Sequence, residues 1–557
     1  MKVLLLHPAR DFVVAPELDD VIFEAMLSGN PFAVTNTRRA LERERTTSRH
    51  PSVEPSRHDI LADDLELATL WNQMAGGDEF LFETARRVML TSLIDLEEIR
   101  HRQDVLADCI SHPDVVNRLY ELALQALENE RAVGTLWSGA GPDRILRRSV
   151  QILTLHVDLL KQLRQIADGD GTRLQSHGFR RFVAMLQEEL SDDYLAVVDG
   201  HLRDLQFRHG LLESARLGKG LKGRDYVVRT APPPRWKARL RRGSGSEEFS
   251  FTIPARDENG FRALADIRGR GLNEVANAVA QSADHVKHFF SMLRFELAFY
   301  MGCMNLRRCL IDKGVPICIP VAHPAWPPRL HVEGLVDVCL VFHREDAVVG
   351  NDVDADGVSL VMVTGANQGG KSTFLRSLGL AQLMMQAGMF VGARSMDANV
   401  CSGVFTHFKR EEDANMARGK LDEELNRMSA VADQITPHGL LLCNESFAST
   451  NEREGSEIAR QIVAAMMDTR VTVLFVTHMF HLADGFTRPQ RRDVLSLRAE
   501  RTDDGRRTFR IVEGDPLSTS YGEDSYRRIF QPGCNAQVVP SATGGSEEAL
   551  TVPRAGP

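Results

Sequence analysis

The stretch that decides the fold is Leu360-Val-Met-Val-Thr-Gly365-Ala-Asn-Gln-Gly-Gly370-Lys371-Ser372-Thr373. An apolar run of strand type leads into G-x-x-x-x-G-K-S, and residues 374–385 behind it have helical spacing. In this context glycines let backbone N–H groups close on phosphate oxygens at the positive end of a helix. Lys371 would reach the β- and γ-phosphates, and the Ser372 hydroxyl would ligate Mg²⁺. Nucleotide-binding residues are predicted at Gly365, Ala366, Asn367, Gln368, Gly369, Gly370, Lys371, Ser372 and Thr373.

Two further apolar stretches end in polar residues that a phosphate loop needs beside it. Residues 439–445 have a buried-strand pattern that ends in Asn444 and Glu445, where an Asp-Glu pair is usual. The Asn444 amide brings no negative charge but can accept from a metal-bound water, and Glu445 can act as a general base. Residues 471–478 end in His478, which can sense the loss of a γ-phosphate. We predict Glu445 and His478 as catalytic residues and Ser372, Asn444 and Glu445 as a Mg²⁺ site.

Length and composition limit the remaining classes of protein. The chain has 557 residues and a formal net charge of −9, so any nucleic-acid contact must come from a local patch. No run of about 18 apolar residues occurs, so we expect no membrane span, and the apolar start is too short for a signal peptide. The 8 cysteines include no C-x-x-C pair, so we expect reduced thiols, no zinc site and a cytoplasmic protein.

Apolar periodicity predicts a multidomain fold in which an α-helical core precedes an α/β P-loop domain. Asp95-Leu-Glu-Glu98 and Ser111-His-Pro-Asp114 have the form of helix starts, and alternating strands and helices follow Pro316. The predicted boundaries are 1–60 for a partly disordered N-terminal segment with a short strand at 3–6, 61–215 and 263–315 for the helical core, 216–262 for a basic insertion, 316–530 for the α/β domain and 531–557 for a disordered tail.

The basic insertion begins with a stretch of strong positive charge. Residues 216–242 hold ten Lys or Arg residues against the single acid Asp225, and their prolines and glycines are expected to break regular structure. Such a segment can bind phosphates by counterion release, with Trp236 or Tyr226 available for stacking, and a solvated basic loop has the same composition. DNA contacts are predicted at Arg235, Lys237, Arg239, Arg241 and Arg242.

Taken together and in this order, the motifs resemble the MutS family of DNA mismatch-repair ATPases. The loop reads TGANQGGKST against the family's TGPNMGGKST. The resemblance covers residues 80–530. It points to this family because the motifs occur in the same order as in the family. Further matching stretches are 444–455 against D-E-x-x-x-G-T-x-x-x-x-G, 475–480 against F-A-T-H-Y-F, 516–522 with its S-Y-G, 95–104 with the opening of the helical core, and 293–300 with the helix that leads to the head.

The resemblance implies a helical lever and core split by a DNA-contacting clamp, followed by an ABC-like ATPase head that dimerises. It implies ATP and Mg²⁺ as cofactors, with ATP between the P-loop of one head and residues 417–424 of the other. Closure of the heads would then move the levers and the DNA-contacting loops. The basic insertion falls where the clamp would lie but is much shorter.

Three departures from the family pattern bear on function. None of the 26 Phe residues is followed two positions later by Glu, and fewer than about 80 residues precede the core, so the mismatch-reading domain with its Phe-x-Glu wedge is not expected. Asn444 replaces the usual Asp. The family's trans signature R-S-T-F-x-x-E reads Arg418-Gly-Lys-Leu-Asp-Glu-Glu424, with Gly419 in place of Ser. Hydrolysis is therefore expected to be slow.

Two hypotheses about function remain open. The first is a MutS-like ATPase of DNA repair or recombination, a homodimer through its heads that closes on DNA, reads DNA shape and acts with repair-protein partners. The second is an ATP-gated scaffold with weak or no hydrolysis that works through protein partners, favoured by Asn444 and Gly419. A DNA-processing nuclease is disfavoured because the sequence has no acidic cluster with metal-ligand spacing.

Overall fold

Side-chain caps and apolar stripes build a helical first half. The computed structural model describes residues 1–12, 23, 26–27, 56–136, 141–208, 210–229, 251–410, 419–488, 491–502 and 506–517. The helix starts predicted near Asp95 and Ser111 are confirmed, since Asp95 accepts a hydrogen bond from the Glu97 N–H and the next helix begins at Pro113. The helices before the insertion are α1 (Arg57–Asp64), α2 (Leu67–Ala75), α3 (Glu79–Leu90), α4 (Leu96–Ser111), α5 (Pro113–Leu136), α6 (Pro142–Asp170), α7 (His177–Glu189) and α8 (Asp192–Asp204).

One long helix carries the chain from the insertion back into the core. Helix α9 (Glu258–Asp312) has 55 residues and spans about 80 Å. Its C-terminal half is buried against α2, α3, α5 and α6, with Phe290, Leu297 and Tyr300 fully inside the core. Its N-terminal half is largely exposed, including Phe261. The helix therefore links the region of the insertion physically to the centre of the helical domain.

The insertion contains regular structure, so the prediction that its prolines and glycines break it is wrong for residues 216–229. Strands β1 (Leu212–Leu217) and β2 (Gly223–Arg229) form an antiparallel hairpin that packs on α9. Gly220, at φ 70°, lies in the turn between them, where a left-handed residue is needed. The residues Arg235, Lys237, Arg239, Arg241 and Arg242 lie outside the part of the chain that the structure describes, as does Trp236.

The N-terminal segment contributes to the core, but the predicted strand at residues 3–6 is wrong. These residues are buried without strand pairing, because side chains satisfy their backbone instead. The Glu296 carboxylate of α9 accepts from Leu5 N–H at 2.5 Å and Leu6 N–H at 2.9 Å, and Tyr300 Oη donates to Leu5 O at 2.7 Å. Of the segment 1–60 that was predicted to be partly disordered, residues 13–55 lie outside the described residues apart from 23 and 26–27, and so does the tail from 518.

Two sheets form the second half of the described chain. The six-stranded sheet has the order β12-β11-β6-β10-β9-β8; its strands are parallel except β12, which runs antiparallel to β11. The four-stranded sheet has the order β3-β7-β4-β5 and mixes both directions. The strands are β3 (Val321–His323), β4 (Leu330–Leu335), β5 (Asn351–Asp354), β6 (Leu360–Thr364), β7 (Ser395–Asn399), β8 (Val404–Phe408), β9 (Leu440–Asn444), β10 (Thr472–Val476), β11 (Val494–Arg501) and β12 (Arg507–Glu513).

Helices connect the strands of the large sheet, as parallel strands require. The central strands β6, β9 and β10 are nearly continuous apolar runs because both faces of the sheet are covered. The helices of this half are α10 (Val338–His343), α11 (Lys371–Gln386), α12 (Lys420–Gln434), α13 (Glu452–Asp468) and α14 (Phe480–Thr487). None of the helices in the described ranges has the length and apolar character needed to cross a membrane.

Candidate nucleotide-binding site

The glycine-rich loop joins the central strand β6 to α11 through backbone conformations that need glycine. Gly365 has φ 111°, and a Cβ there would lie 2.9 Å from the Ala499 backbone nitrogen. Gly370 has φ 94° and is the residue from which α11 starts. Gln368 also has a positive φ, 60°, and this conformation costs energy for any residue other than glycine. The loop therefore turns sharply around the N-terminal end of α11, where free N–H groups and the helix dipole favour an anion.

The Lys371 side chain lies inside the loop. It is only 5% exposed, and its Nζ donates to Gly365 O at 2.9 Å and to Ala366 O at 3.2 Å. Burial lowers the pKa of Lys371, Glu445 opposes that shift, and Arg507 adds to it. The ammonium group is thus held by two carbonyls that phosphate oxygens could replace.

A hydrogen bond links the loop helix to the end of β9. Ser372 Oγ donates to Asn444 Oδ1 at 2.8 Å. Strand β10 lies between β6 and β9 in the sheet, and α11 packs on both β10 and β9, so its start reaches Asn444 across β10. The structure therefore brings together Ser372 and Asn444, two of the three predicted metal ligands. Each offers a metal an uncharged oxygen atom.

The third predicted ligand, Glu445, pairs with His478. Glu445 Oε2 lies 2.5 Å from His478 Nδ1 and accepts from the His478 N–H at 3.3 Å. This hydrogen bond is the largest cause of a raised His478 pKa. Glu445 has φ 55°, and its N–H donates to Val476 O at 2.9 Å, which holds the ends of β9 and β10 together. A non-glycine residue held at positive φ is typical of a functional position.

Two cationic residues at the same edge were not predicted from the sequence. Lys409 directly follows β8, and its N–H donates to Asn444 O at 2.9 Å. Its ammonium group acts electrostatically on His478. Arg507 begins β12 and acts on Lys371. The position of Lys409 just after an apolar strand could have predicted its place in the site, because the carboxyl ends of parallel strands meet at one edge of the sheet. No sequence pattern predicts Arg507 there.

The segment predicted to face a partner head is described only from Gly419 onward. Gly419 precedes α12, and Lys420 is its first residue. Glu424 is 4% exposed, and burial raises its pKa while a hydrogen bond with Ser449 opposes that shift. Glu424 thus contacts the loop after Glu445 within the same chain. Arg418 lies outside the described residues.

Two protein families match this chain, one over its helical half and one over its α/β half. The family described as MutS2 N-terminal domain matches residues 94–312, and the family described as MutS domain V matches residues 361–545. The first match covers the helical half, and the second begins one residue into β6.

Named relatives match the C-terminal part of the chain. DNA mismatch repair protein MutS of Thermus thermophilus is 31% identical over 182 residues, which is 33% of this chain and 22% of that protein. MutS of Chloroflexus aurantiacus is 33% identical over 139 residues, 24% of this chain and 14% of that protein. DNA mismatch repair protein msh3 of Aspergillus fumigatus is 32% identical over 142 residues, 25% of this chain and 13% of that protein. The matched part spans less than a quarter of each relative.

The fold and the site therefore define a multidomain protein that joins a helical domain to an α/β domain of the MutS domain V type. Both family matches and the named relatives point to the same group. The chain belongs to the MutS family.

Proposed function

We propose that this chain is a MutS-like DNA-repair protein that binds ATP at residues 365–373, hydrolyses it slowly and binds DNA through its helical half. One observation carries the proposal: side chains from three separate elements converge at the carboxyl end of the parallel strands. Such convergence is what a phosphate site requires, and each of these residue types has a role there. The converging residues are Lys371 and Ser372 at the start of α11, Asn444 and Glu445 at the end of β9, and His478 after β10.

Binding of a nucleotide would exchange protein contacts for phosphate contacts. Lys371 would release the carbonyls of Gly365 and Ala366, 2.9 and 3.2 Å away, and turn its ammonium group to phosphate oxygens. The N–H groups of residues 366–373 would close on the same phosphates. Because Lys371 is nearly buried, this exchange takes place with little competition from water.

Hydrolysis would depend on Glu445 as the base that orients the attacking water. In the resting geometry Glu445 Oε2 is already engaged by His478 Nδ1 at 2.5 Å. That bond fixes the carboxylate in place but occupies the oxygen that would accept a proton from the water. Turnover would be slow because this contact must open before Glu445 Oε2 can act as the base.

The residues do not fit a resident Mg²⁺ of the usual kind. Mg²⁺ is normally held by one or two carboxylates together with substrate phosphates. Here the adjacent donors, Ser372 Oγ and Asn444 Oδ1, are both neutral and bonded to each other at 2.8 Å. The carboxylate beside them, Glu445, is turned to His478.

The hairpin β1–β2 supports DNA binding by the helical half. Arg216 and Arg224 are direct cross-strand partners, and Asp225, 3.7 Å from Arg224 Nε, offsets only one of the two charges, so the pair would be stabilised further by a bound anion. The sugar–phosphate backbone of DNA supplies such charge. Further exposed basic residues on the hairpin are Lys219, Lys222 and Arg229. In the proposed dimer, ATP-driven closure of the two heads would bring the helical halves together around DNA.

A second candidate is an ATP-gated scaffold that acts through protein partners without appreciable hydrolysis. The bond between Ser372 and the neutral Asn444 favours it, because a charge usually present at the reacting phosphates is missing. In this candidate, binding and release of ATP would still move the heads.

The test measures ATP turnover and DNA binding of the full chain. Turnover that DNA stimulates and that Lys371→Ala abolishes would support the first candidate; Lys313→Ala, at the exposed end of α9, is the matched control. A panel of homoduplex, mismatched, four-way junction and fork DNA, with and without ATP, reports the structure that is bound. ATP binding without turnover would support the scaffold. Failure to retain any adenine nucleotide would contradict both.

A further inference from the structure

A buried histidine, His407, lies beside the loop that carries Glu445. His407 belongs to β8, which pairs with β9, and its side chain is fully buried. Its ring stacks on that of Phe447, with 5.3 Å between the ring centroids and 20° between the ring planes. The Ser446 side chain is also buried, and its Oγ lies 2.7 Å from His407 O and 2.8 Å from His407 Nδ1. The two residues that directly follow Glu445 therefore both contact this histidine.

The hydrogen-bond partners determine which nitrogen of the His407 ring carries the proton. His407 Nε2 lies 3.0 Å from the carbonyl oxygen of Glu424, which can only accept, so Nε2 carries the proton and donates it. Burial, and after it Arg427, lowers the pKa of His407 to about 4, so the ring is neutral at neutral pH and Nδ1 is an acceptor. The hydroxyl proton of Ser446 thus has two acceptors, Nδ1 and the carbonyl oxygen, within one residue.

The loop after β9 needs such support because two of its residues have left-handed backbone conformations. Glu445 has φ 55° and Phe447 has φ 62°, one on each side of Ser446. These conformations cost energy for residues other than glycine and persist only where the surroundings hold them. His478 contacts the Glu445 carboxylate, and His407 holds the two residues that follow. The direction in which the Glu445 side chain leaves the loop therefore depends on His407.

The opposite side of the His407 ring is attached to α12. Glu424, whose carbonyl accepts from Nε2, belongs to this helix. Arg427 of the same helix donates from Nη1 to Phe408 O at 3.0 Å, so α12 contacts β8 at two successive residues. His407 thus lies between α12 and the loop that carries Glu445, with hydrogen bonds to both.

We infer that His407 is a positioning residue for hydrolysis. Through Ser446 it holds the loop in the conformation from which Glu445 reaches the carboxyl edge of the strands, and α12 fixes the ring in turn. The inference rests on the proposed function, in which Glu445 is the base. It adds that turnover depends on a buried contact outside the glycine-rich loop. Loss of that contact should lower turnover and leave ATP affinity unchanged.

The first test removes the Ser446 hydroxyl from the full chain. Ser446→Ala should turn over saturating ATP about tenfold to a hundredfold more slowly, because a small displacement of a catalytic group is costly. Its dissociation constant for ATP, from titration calorimetry, should stay within about threefold of that of wild type, since the glycine-rich loop is unchanged. Turnover at the wild-type rate in Ser446→Ala would overturn the inference.

Two variants of His407 separate positioning from packing. His407→Asn keeps an acceptor near the Nδ1 position and can still bind Ser446, whereas His407→Gln keeps a donor near the Nε2 position and can still bind Glu424 O. Both lose the stacking on Phe447, so a purely structural role predicts equal losses. We expect His407→Asn to retain at least about fivefold more turnover than His407→Gln. Equal turnover of the two variants would overturn the role of the Ser446 contact.

A second buried histidine, His156 of the helical half, is the matched control. Its Nε2 lies 3.3 Å from Ala126 O and its ring contacts that of Phe290. His156→Gln should lower stability in urea without changing turnover, and a loss of turnover equal to that of His407→Gln would overturn the inference.

The variant Glu445→Gln separates failure of this inference from failure of the proposed function. Slow turnover in Glu445→Gln together with the wild-type rate in Ser446→Ala would overturn the inference alone. Undiminished turnover in Glu445→Gln, or no turnover of the wild-type chain, would contradict the proposed base and the inference with it.

Discussion

Arg102 on α4 donates a hydrogen bond to the carbonyl of Ala387, 3.2 Å away, at the residue where α11 ends. The same guanidinium donates to Leu6 O at 2.9 Å and is fully buried. Because α11 begins at Lys371, the helix that starts at the glycine-rich loop ends on an arginine of the helical domain. The C-terminal end of α11 is therefore fixed to α4 and, through the same guanidinium, to the N-terminal segment.

This joint predicts the effect of a change at Gly388. Gly388 has φ 79°, and a Cβ there would lie 2.4 Å from the Arg102 Cβ. Gly388→Ala should lower the free energy of unfolding by about 2 to 5 kcal/mol, from backbone strain plus overpacking. Gly357→Ala is the matched control, since Gly357 has φ 75° with nothing within 4 Å, and should show only the strain. Equal losses in urea denaturation would contradict a packed joint.

Removal of the proposed base should separate binding from turnover. Glu445→Gln keeps the size of the side chain but removes its charge, so we expect ATP binding to persist and turnover to fall by about 10²-fold or more. Steady-state phosphate release and ATP titration measure the two effects. Glu452→Gln, at the exposed start of α13, is the control and should leave both unchanged. Undiminished turnover in Glu445→Gln would exclude Glu445 as the base.

Glu296 should make stability depend on pH. Burial raises the pKa of this carboxyl to about 7 in the folded chain, against an ordinary value of 4.5. The folded state therefore binds the proton more tightly, so the stabilisation is present below pH 4.5 and is lost as pH rises through 7. When pH rises from 5 to 8, loss of this contribution should lower the free energy of unfolding by about 2 to 3 kcal/mol.

The variant Glu296→Gln tests that dependence. Its neutral amide can still accept from the N–H groups of Leu5 and Leu6 but does not titrate. Denaturant unfolding at pH 5 and pH 8 should therefore give a smaller decrease for the variant than for wild type. Parallel pH profiles for the two proteins would show that Glu296 stays ionised in the fold.

Charge reversal on the hairpin should weaken DNA binding without unfolding the hairpin. Arg216→Glu places an acid opposite Arg224, which stabilises the cross-strand pair while it removes a phosphate contact. We expect weaker DNA binding. The slope of log affinity against log salt concentration should also be shallower by about one unit. Filter binding over a range of salt concentrations measures both. Arg460→Glu, at an exposed position of α13, is the control, and an unchanged slope in Arg216→Glu would locate the contact elsewhere.

Much of the candidate site could be predicted from the sequence because its parts are local patterns. The glycine spacing before Lys371 and the polar ends of the strands at Asn444 and His478 are visible in short windows. The capping residue Asp95 likewise predicts its helix from four residues. Periodicity failed at residues 3–6, where an apolar run is buried without strand pairing because Glu296 and Tyr300, almost 300 positions away in the chain, satisfy its backbone.

The sequence by itself determined the family, the glycine-rich loop and the residues that stand at the strand ends. The tertiary structure alone decided which of those ends are neighbours. Strand order β8-β9-β10-β6 brings Lys409 beside Asn444, and the packing of α11 on β10 and β9 brings Ser372 onto the Asn444 amide. The reason is physical: the spacing of apolar residues specifies that a strand is buried, but hydrogen bonds and packing between distant segments determine the partner beside which it lies.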